Sequence, residues 1–268
     1  MDSFSGTLRA LFRFAVLFFL AGLFVGDSLR IAWLVREKAR RRRRLCALNA
    51  CYARVALRVM GLRLRVLHPE RLAASSGTLI VANHLSYLDI LALAVACPGV
   101  FVATADLLEI PIVGPVCRSG GALFVARKVG DRLVPEIEQM SVFLAEGWPL
   151  IVFPEACASD GEGVRGFKPA PFEAARRAGA EVLAVCLRYP EVHGRRTDRR
   201  TRDRVFWYGA MTFYDHFLRL LSIPDAVIEV EAVSRRNARG ISRKTLAGTT
   251  RDEIASVYGA PFMREVAR

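Results

Sequence analysis

"TLIVANHLSYLDILALAVA", residues 78–96, decides how this chain is read. Its first five residues are an unbroken apolar run of strand length, the pattern of a strand covered on both faces. Next, Ser86-x-x-Asp89 ahead of "ILALAVA" has the form of a capping box, with Ser86 as N-cap and Asp89 at N3. A strand passing directly into a capped helix is a βα step. The cap does not account for His84, which leaves the strand two residues before it. Lying outside the helix, the imidazole can fold back onto the Asp89 carboxylate. A histidine with a carboxylate behind it is a general base held in one tautomer.

Working outward, strand-like runs recur at 62–67, 100–104, 122–126, 149–153, 182–187, 205–209 and 226–233. Helical spacing lies between several of them, around 47–60, 131–146 and 170–178. The alternation predicts an α/β fold with a largely parallel central sheet flanked by helices. "LRLRVL" (62–67) alternates apolar residues with arginine and reads as an edge strand with one wet face. "HGRRTDRRTRDR" (193–204) reads as a charged, mobile loop.

The first 45 residues are of another character. Phe14 to Gly26 is uninterruptedly apolar, and extension to Val35 reaches the ~20 residues of a spanning helix while including Asp27 and Arg30. Arg36, Lys38 and Arg40 to Arg44 follow at once. A basic cluster beside an apolar helix faces the cytoplasm, and each such residue near an anionic leaflet contributes about 1 kcal/mol. The expectation is an N-terminal membrane-associated helical segment over 1–45, either one span or a helix pair dipping into one leaflet, followed by a catalytic unit over 46–268. That puts the protein at the cytoplasmic face of the inner membrane. A cleaved signal peptide suits the sequence less well, since no small-x-small site follows. The whole chain agrees: 53% of its 268 residues are hydrophobic, and its net charge of +13 favours acidic partners. No nucleic-acid motif accompanies that charge. The six cysteines are scattered and the four histidines far apart, so neither a disulfide framework nor a metal site is expected.

Two more strand ends carry chemistry. "GALFVAR" ends in Arg127, and "FPEACAS" (153–159) places Glu155 just after the 149–153 run. "GEGVRG" (161–166) is a literal G-x-G-x-x-G, but loop precedes it and Pro169 and Pro171 follow. It does not open a helix and is read as a flexible loop, a candidate lid, rather than a dinucleotide site. No G-x-S-x-G or activated cysteine supplies a nucleophile, so the substrate brings the hydroxyl.

Taken together, these blocks resemble the glycerolipid acyltransferase family typified by 1-acylglycerol-3-phosphate acyltransferase. Asn83-His84-x-Ser86-x-x-Asp89 matches its N-H-x-S-x-x-D block, and Gly121 to Arg127 its G-x-x-F-x-x-R block. "FPEACAS" is similar to F-P-E-G-T-R-S, and "GFKPAPFEAA" (166–175) to the lysine–phenylalanine segment after it. The resemblance implies His84 as base and Asp89 as its orienting partner, with Asn83, Ser86, Arg127, Glu155 and Lys168 in substrate binding. It implies no resident cofactor, an acyl-CoA or acyl carrier protein as donor, and a lysolipid as acceptor. Ala156, Cys157 and Ala158 replace the family's Gly, Thr and Arg, and Ala184 replaces the proline of its fourth block. Losing the arginine weakens the case for a phosphomonoester acceptor, leaving a lyso-ornithine lipid as the alternative. A non-catalytic lipid-binding protein and a hydrolase in which His84 activates water are the other readings.

Overall fold

The computed structural model of the protein describes residues 4–73, 76–125 and 133–259. In chain order these form α1 (Phe4–Leu34), α2 (Lys38–Val59), β1 (Leu62–Leu67), α3 (Pro69–Leu72), β2 (Thr78–Ala82) and α4 (Leu88–Ala96). There follow β3 (Val100–Thr104), α5 (Val113–Ser119), β4 (Leu123–Val125), α6 (Leu133–Ala145) and β5 (Leu150–Val152). The rest is α7 (Ala170–Ala178), β6 (Glu181–Val192), β7 (Arg195–Arg196), α8 (Phe213–Ser222), β8 (Ala226–Asn237) and α9 (Arg243–Tyr258).

The sheet runs in the order β1-β8-β6-β2-β5-β3-β4, with β7 paired to β6. Pairing is parallel except between β6 and its neighbours β8 and β7. The two sequence patterns that differed most occupy the two environments they demand. β2, wholly buried, lies between β5 and β6, while β1, whose arginines reach solvent, lies at an edge. Helices α6, α7 and α9 pack on one another in one group, and α1, α2, α4 and α8 in a second.

Residues 205–209, expected as a strand, are not one. β6, the strand before it in this part of the chain, already has β2 and β8 on its two sides, so the segment cannot pair beside it. It crosses over the strand ends instead, burying Val205 and Phe206, while the Trp207 N–H donates to the Leu85 carbonyl. The charged stretch at 193–204 is likewise tied down. Its start forms the β6–β7 hairpin, Asp198 takes hydrogen bonds from the Arg200 and Thr201 N–H groups, and Arg202 donates to the Asp160 carbonyl and to Glu162.

α1 is long and apolar enough to cross a bilayer. Leu8, Leu11, Phe12, Phe18, Phe19, Leu29 and Trp33 form an exposed apolar stripe along it. Its other side is clasped to the fold. Arg9 donates to the Ser222 carbonyl, and Arg13 to those of Leu221, Ile223 and Pro224. These carbonyls at the end of α8 lack helical partners and carry the negative end of its dipole, so two guanidinium groups are well matched to them. α2 begins inside the basic run and continues to Val59, so the division expected after residue 45 falls within one helix. One arginine of that run, Arg42, stacks on Phe143 and Trp148 and pairs with Glu146.

Candidate active site

β2 ends where its two neighbours also deliver functional side chains. Ala82 is level with Val185 of β6, and Val81 with Val152 of β5. Residues just past these positions therefore converge: Asn83 and His84 after β2, Glu155 after β5, and Leu187 to Tyr189 within β6.

Asn83 is buried, and its side-chain amide acts as a surrogate peptide. Its Nδ2 donates to the Leu187 carbonyl (2.9 Å) and its Oδ1 accepts the Leu187 N–H (2.8 Å). The β2–β6 ladder is thus extended one step while the main chain turns away. That turn carries His84 to Asp89. The His84 Nδ1 lies 2.9 Å from Asp89 Oδ2, which also accepts the N–H groups of Leu85 (2.7 Å) and Ser86 (2.9 Å). An ionised carboxylate only accepts, so Nδ1 carries the hydrogen and Nε2 is the basic nitrogen. The imidazole stacks on Phe153 with ring centroids 4.1 Å apart and retains 17% side-chain exposure, whereas Asp89 is fully buried.

Half of the expected capping box forms. Asp89 takes the Ser86 N–H, but Ser86 Oγ meets the Leu88 N–H only at 3.4 Å and also hydrogen-bonds the Tyr189 side chain, and α4 starts one residue later than a Ser86 cap requires. Two partners of this motif were invisible in the local sequence. The Tyr189 hydroxyl donates to Asp89 Oδ1 (2.7 Å), and Tyr87 meets the buried His216 Nδ1 (2.9 Å). Burial lowers the His216 pKa to about 4, so it is a neutral partner. Tyr189 is a hundred residues from Asp89, and only the β2–β6 register brings them together.

Glu155 is buried and faces main chain. Its Oε1 accepts the His84 N–H (3.0 Å) and its Oε2 the Arg165 N–H (3.2 Å), tying the third block to the histidine loop. Burial raises its pKa to about 7, with the two N–H donors pulling the other way. Between its ordinary value and about 7 the folded chain holds a proton that the unfolded chain has lost. Stability from this group is therefore complete below the unfolded pKa and is lost as pH rises through about 7. Glu155→Gln removes that titration. The unfolding free energy of wild type relative to the variant is expected to fall as pH rises from 4.5 to 7, by on the order of 3 kcal/mol at most, with a matching fall in relative melting temperature. Parallel melting curves across that range would contradict it.

Ala156, where the resembled family has glycine, sits at φ +66°, a left-handed conformation costing a β-carbon residue about 1–2 kcal/mol. The loop beyond it is no loose flap. Val164 is buried, the Tyr258 hydroxyl donates to the Gly161 carbonyl, and Arg251 donates to that of Val164. Gly161 has φ +79°, and an added β-carbon would lie 2.4 Å from the Phe206 ring. The first glycine of "GEGVRG" thus serves a tight turn against an aromatic wall, with no helix following.

His84 opens into a largely apolar cavity of about 670 Å³. Leu17, Leu20, Ala21 and Phe24 of α1 line it together with Tyr52, Ala53 and Ala56 of α2. Ile90, Leu91 and Ala94 of α4 and residues 101–104 of β3 complete much of the wall. Lys168, exposed, also borders it, as do Cys157 and Ala158. Asn83, Ser86 and Glu155 do not; their polar atoms engage the protein rather than the cavity. Arg127 lies outside the described residues. Among the described residues no group of three or more histidine, cysteine or acidic side chains could hold a metal ion.

An imidazole oriented by a buried carboxylate at the wall of an apolar cavity can take a proton from a hydroxyl whose hydrocarbon part is bound beside it. Residues 63–188 match the family model described as Acyltransferase. Over that segment, just under half of its length, the chain is similar to this acyltransferase family. It is 34% identical to a 1-acyl-sn-glycerol-3-phosphate acyltransferase of Neisseria gonorrhoeae, over 59% of this chain and 60% of that protein. It is 32% identical to a lyso-ornithine lipid O-acyltransferase of Rhizobium meliloti (strain 1021), over 66% of this chain and 62% of that one. These alignments span about three fifths of each acyltransferase. The crystal structure of a 1-acyl-sn-glycerophosphate (LPA) acyltransferase from Thermotoga maritima has the same fold, with a TM-score of 0.73 at 20% identity, covering 100% of this chain and 99% of that one.

Proposed function

We propose that the protein is a membrane-bound O-acyltransferase that moves a fatty acyl group from an acyl thioester to the free hydroxyl of 1-acylglycerol-3-phosphate, giving phosphatidate. The observation that carries this reading is the His84–Asp89 pair opening into the apolar cavity. His84 Nε2 takes the proton of the acceptor hydroxyl as its oxygen attacks the thioester carbonyl. The C–O bond forms, the C–S bond breaks, and the imidazolium returns its proton to the departing thiolate. Asp89 orients the ring and stabilises its charged form. The cavity takes the acyl chain, which aligns the reacting atoms.

Asn83, Ser86 and Glu155 act by shaping the loops around His84, in place of the substrate contact expected for them. Lys168 meets the acceptor phosphate, and exposed Arg165 lies in the same loop; Arg127 is assigned to the head group by family resemblance. The donor is an acyl-CoA or an acyl carrier protein thioester, bound as a substrate. The exposed stripe of α1 lies in the lipid. Arg36, Arg40 and Arg44, around a cleft at the α1–α2 turn, face anionic head groups on the cytoplasmic side.

Ala158, where the family commonly has arginine, and the rhizobial relative favour a second acceptor, a lyso-ornithine lipid. Purified protein in lipid nanodiscs, given labelled acyl donor and both lysolipids in parallel, separates the two. Labelled phosphatidate is the expected product. Transfer only to the lyso-ornithine lipid would replace the acceptor, and release of free fatty acid without an acceptor would mean a hydrolase.

A further inference from the structure

The Asp89 carboxylate is unevenly served. Oδ2 carries three donors, from His84, Leu85 and Ser86, while Oδ1 has the Tyr189 hydroxyl among the described residues. Three bonds converging on one oxygen leave the roll of the carboxylate about its own axis to be fixed by the other. Tyr189 is suited to fixing it. It comes from β6 next to the Leu187 that Asn83 grips, is 3% exposed, and packs edge-on against Phe206 with centroids 5.3 Å apart. The Ser86 side chain also hydrogen-bonds its hydroxyl and pulls its pKa down, but burial and the neighbouring Asp89 outweigh this and raise it well above the ordinary phenol value, so it stays a donor to Asp89.

We propose that Tyr189 is a positioning residue for the acyl-transfer site: it locks Asp89 Oδ2 against His84 Nδ1 and draws negative charge toward Oδ1, tuning how firmly the imidazole holds its proton. The proposal rests on the base role of His84 given above. An undivided carboxylate charge would hold the imidazolium too well and slow the return of its proton to the leaving thiolate. The other titratable groups facing this centre make no hydrogen bond to Asp89. Glu155 takes the His84 and Arg165 N–H groups, Tyr258 donates to Gly161, and Tyr87 meets His216. Cys186 is buried in β6, and Cys157 and Lys168 lie on the cavity side.

Tyr189→Phe keeps the ring and removes the donor; Tyr258→Phe is the matching control for a buried phenol elsewhere. The first readout is the low-field proton and nitrogen resonance of the His84 Nδ1–H, assigned by its loss in His84→Gln. The second is kcat and KM across pH. Tyr189→Phe is expected to shift the resonance, lower kcat by about ten- to a hundredfold with the acceptor KM unchanged, and move the acid limb of the rate profile to higher pH. Tyr258→Phe should leave the resonance in place. An unmoved resonance in Tyr189→Phe overturns the proposal, even if activity falls through loosened packing. The spectrum needs no turnover. A shifted resonance in a protein that transfers no acyl group would uphold Tyr189 as the residue that sets the His84–Asp89 pair and refute the proposed function.

Discussion

His84→Ala is expected to lower kcat for acyl transfer by about 10³-fold or more while leaving thermal unfolding close to that of wild type. The two effects separate because of how little the fold asks of this imidazole. Among the described residues its ring makes one hydrogen bond and one stacking contact, and it faces a cavity. Without it, Asp89 keeps the Leu85 and Ser86 N–H groups and the Tyr189 hydroxyl, so no buried charge is stranded. The chemistry has no such reserve, since among the described residues no other group lining the cavity is a neutral base held by a carboxylate. Single-turnover assays with labelled donor, beside melting curves, test both halves. Retained turnover would remove His84 from the mechanism.

Asp89→Ala should fail in both respects. Asp89 is fully buried and accepts from two main-chain N–H groups, a phenol and the imidazole. Deleting the carboxylate strands four donors in a dry pocket, for a loss of about 3–5 kcal/mol together with the activity. Asp89→Asn restores part of the stability, because an amide oxygen can still accept on the Oδ2 side while its NH2 turns to Tyr189. It restores little of the rate, because the charge that stabilises an imidazolium is gone. Chemical denaturation of the three proteins is the measurement. An alanine variant as stable as wild type would mean that the buried acceptor does not hold the loop.

The difference between these two residues also marks what a sequence can disclose. His84 and Asp89 lie five positions apart at a strand end, and local spacing was enough to pair them. β2, β1 and α7 were legible because unbroken apolar character, alternation with arginine and helical spacing each reflect local burial. Tyr189, the Asn83 side-chain ladder and the Glu155 tether depend on which strands become neighbours, and nothing near them in the sequence records that. The stretch at 205–209 misled for the same reason. Its aromatic and β-branched residues suit a strand, but β6 already has a neighbour on each side. The basic run at 40–44 looked like a boundary, yet arginine is a good helix former and the helix runs through it.

The apolar stripe proposed to meet lipid and the wall proposed to hold substrate are two sides of one helix, α1. Leu17, Leu20, Ala21 and Phe24 face the cavity from the helix whose opposite stripe is bare hydrocarbon, and Arg9 and Arg13 fasten that helix to α8. Truncating the N-terminus to obtain a soluble fragment would open the chamber along one side and leave the end of α8 uncapped.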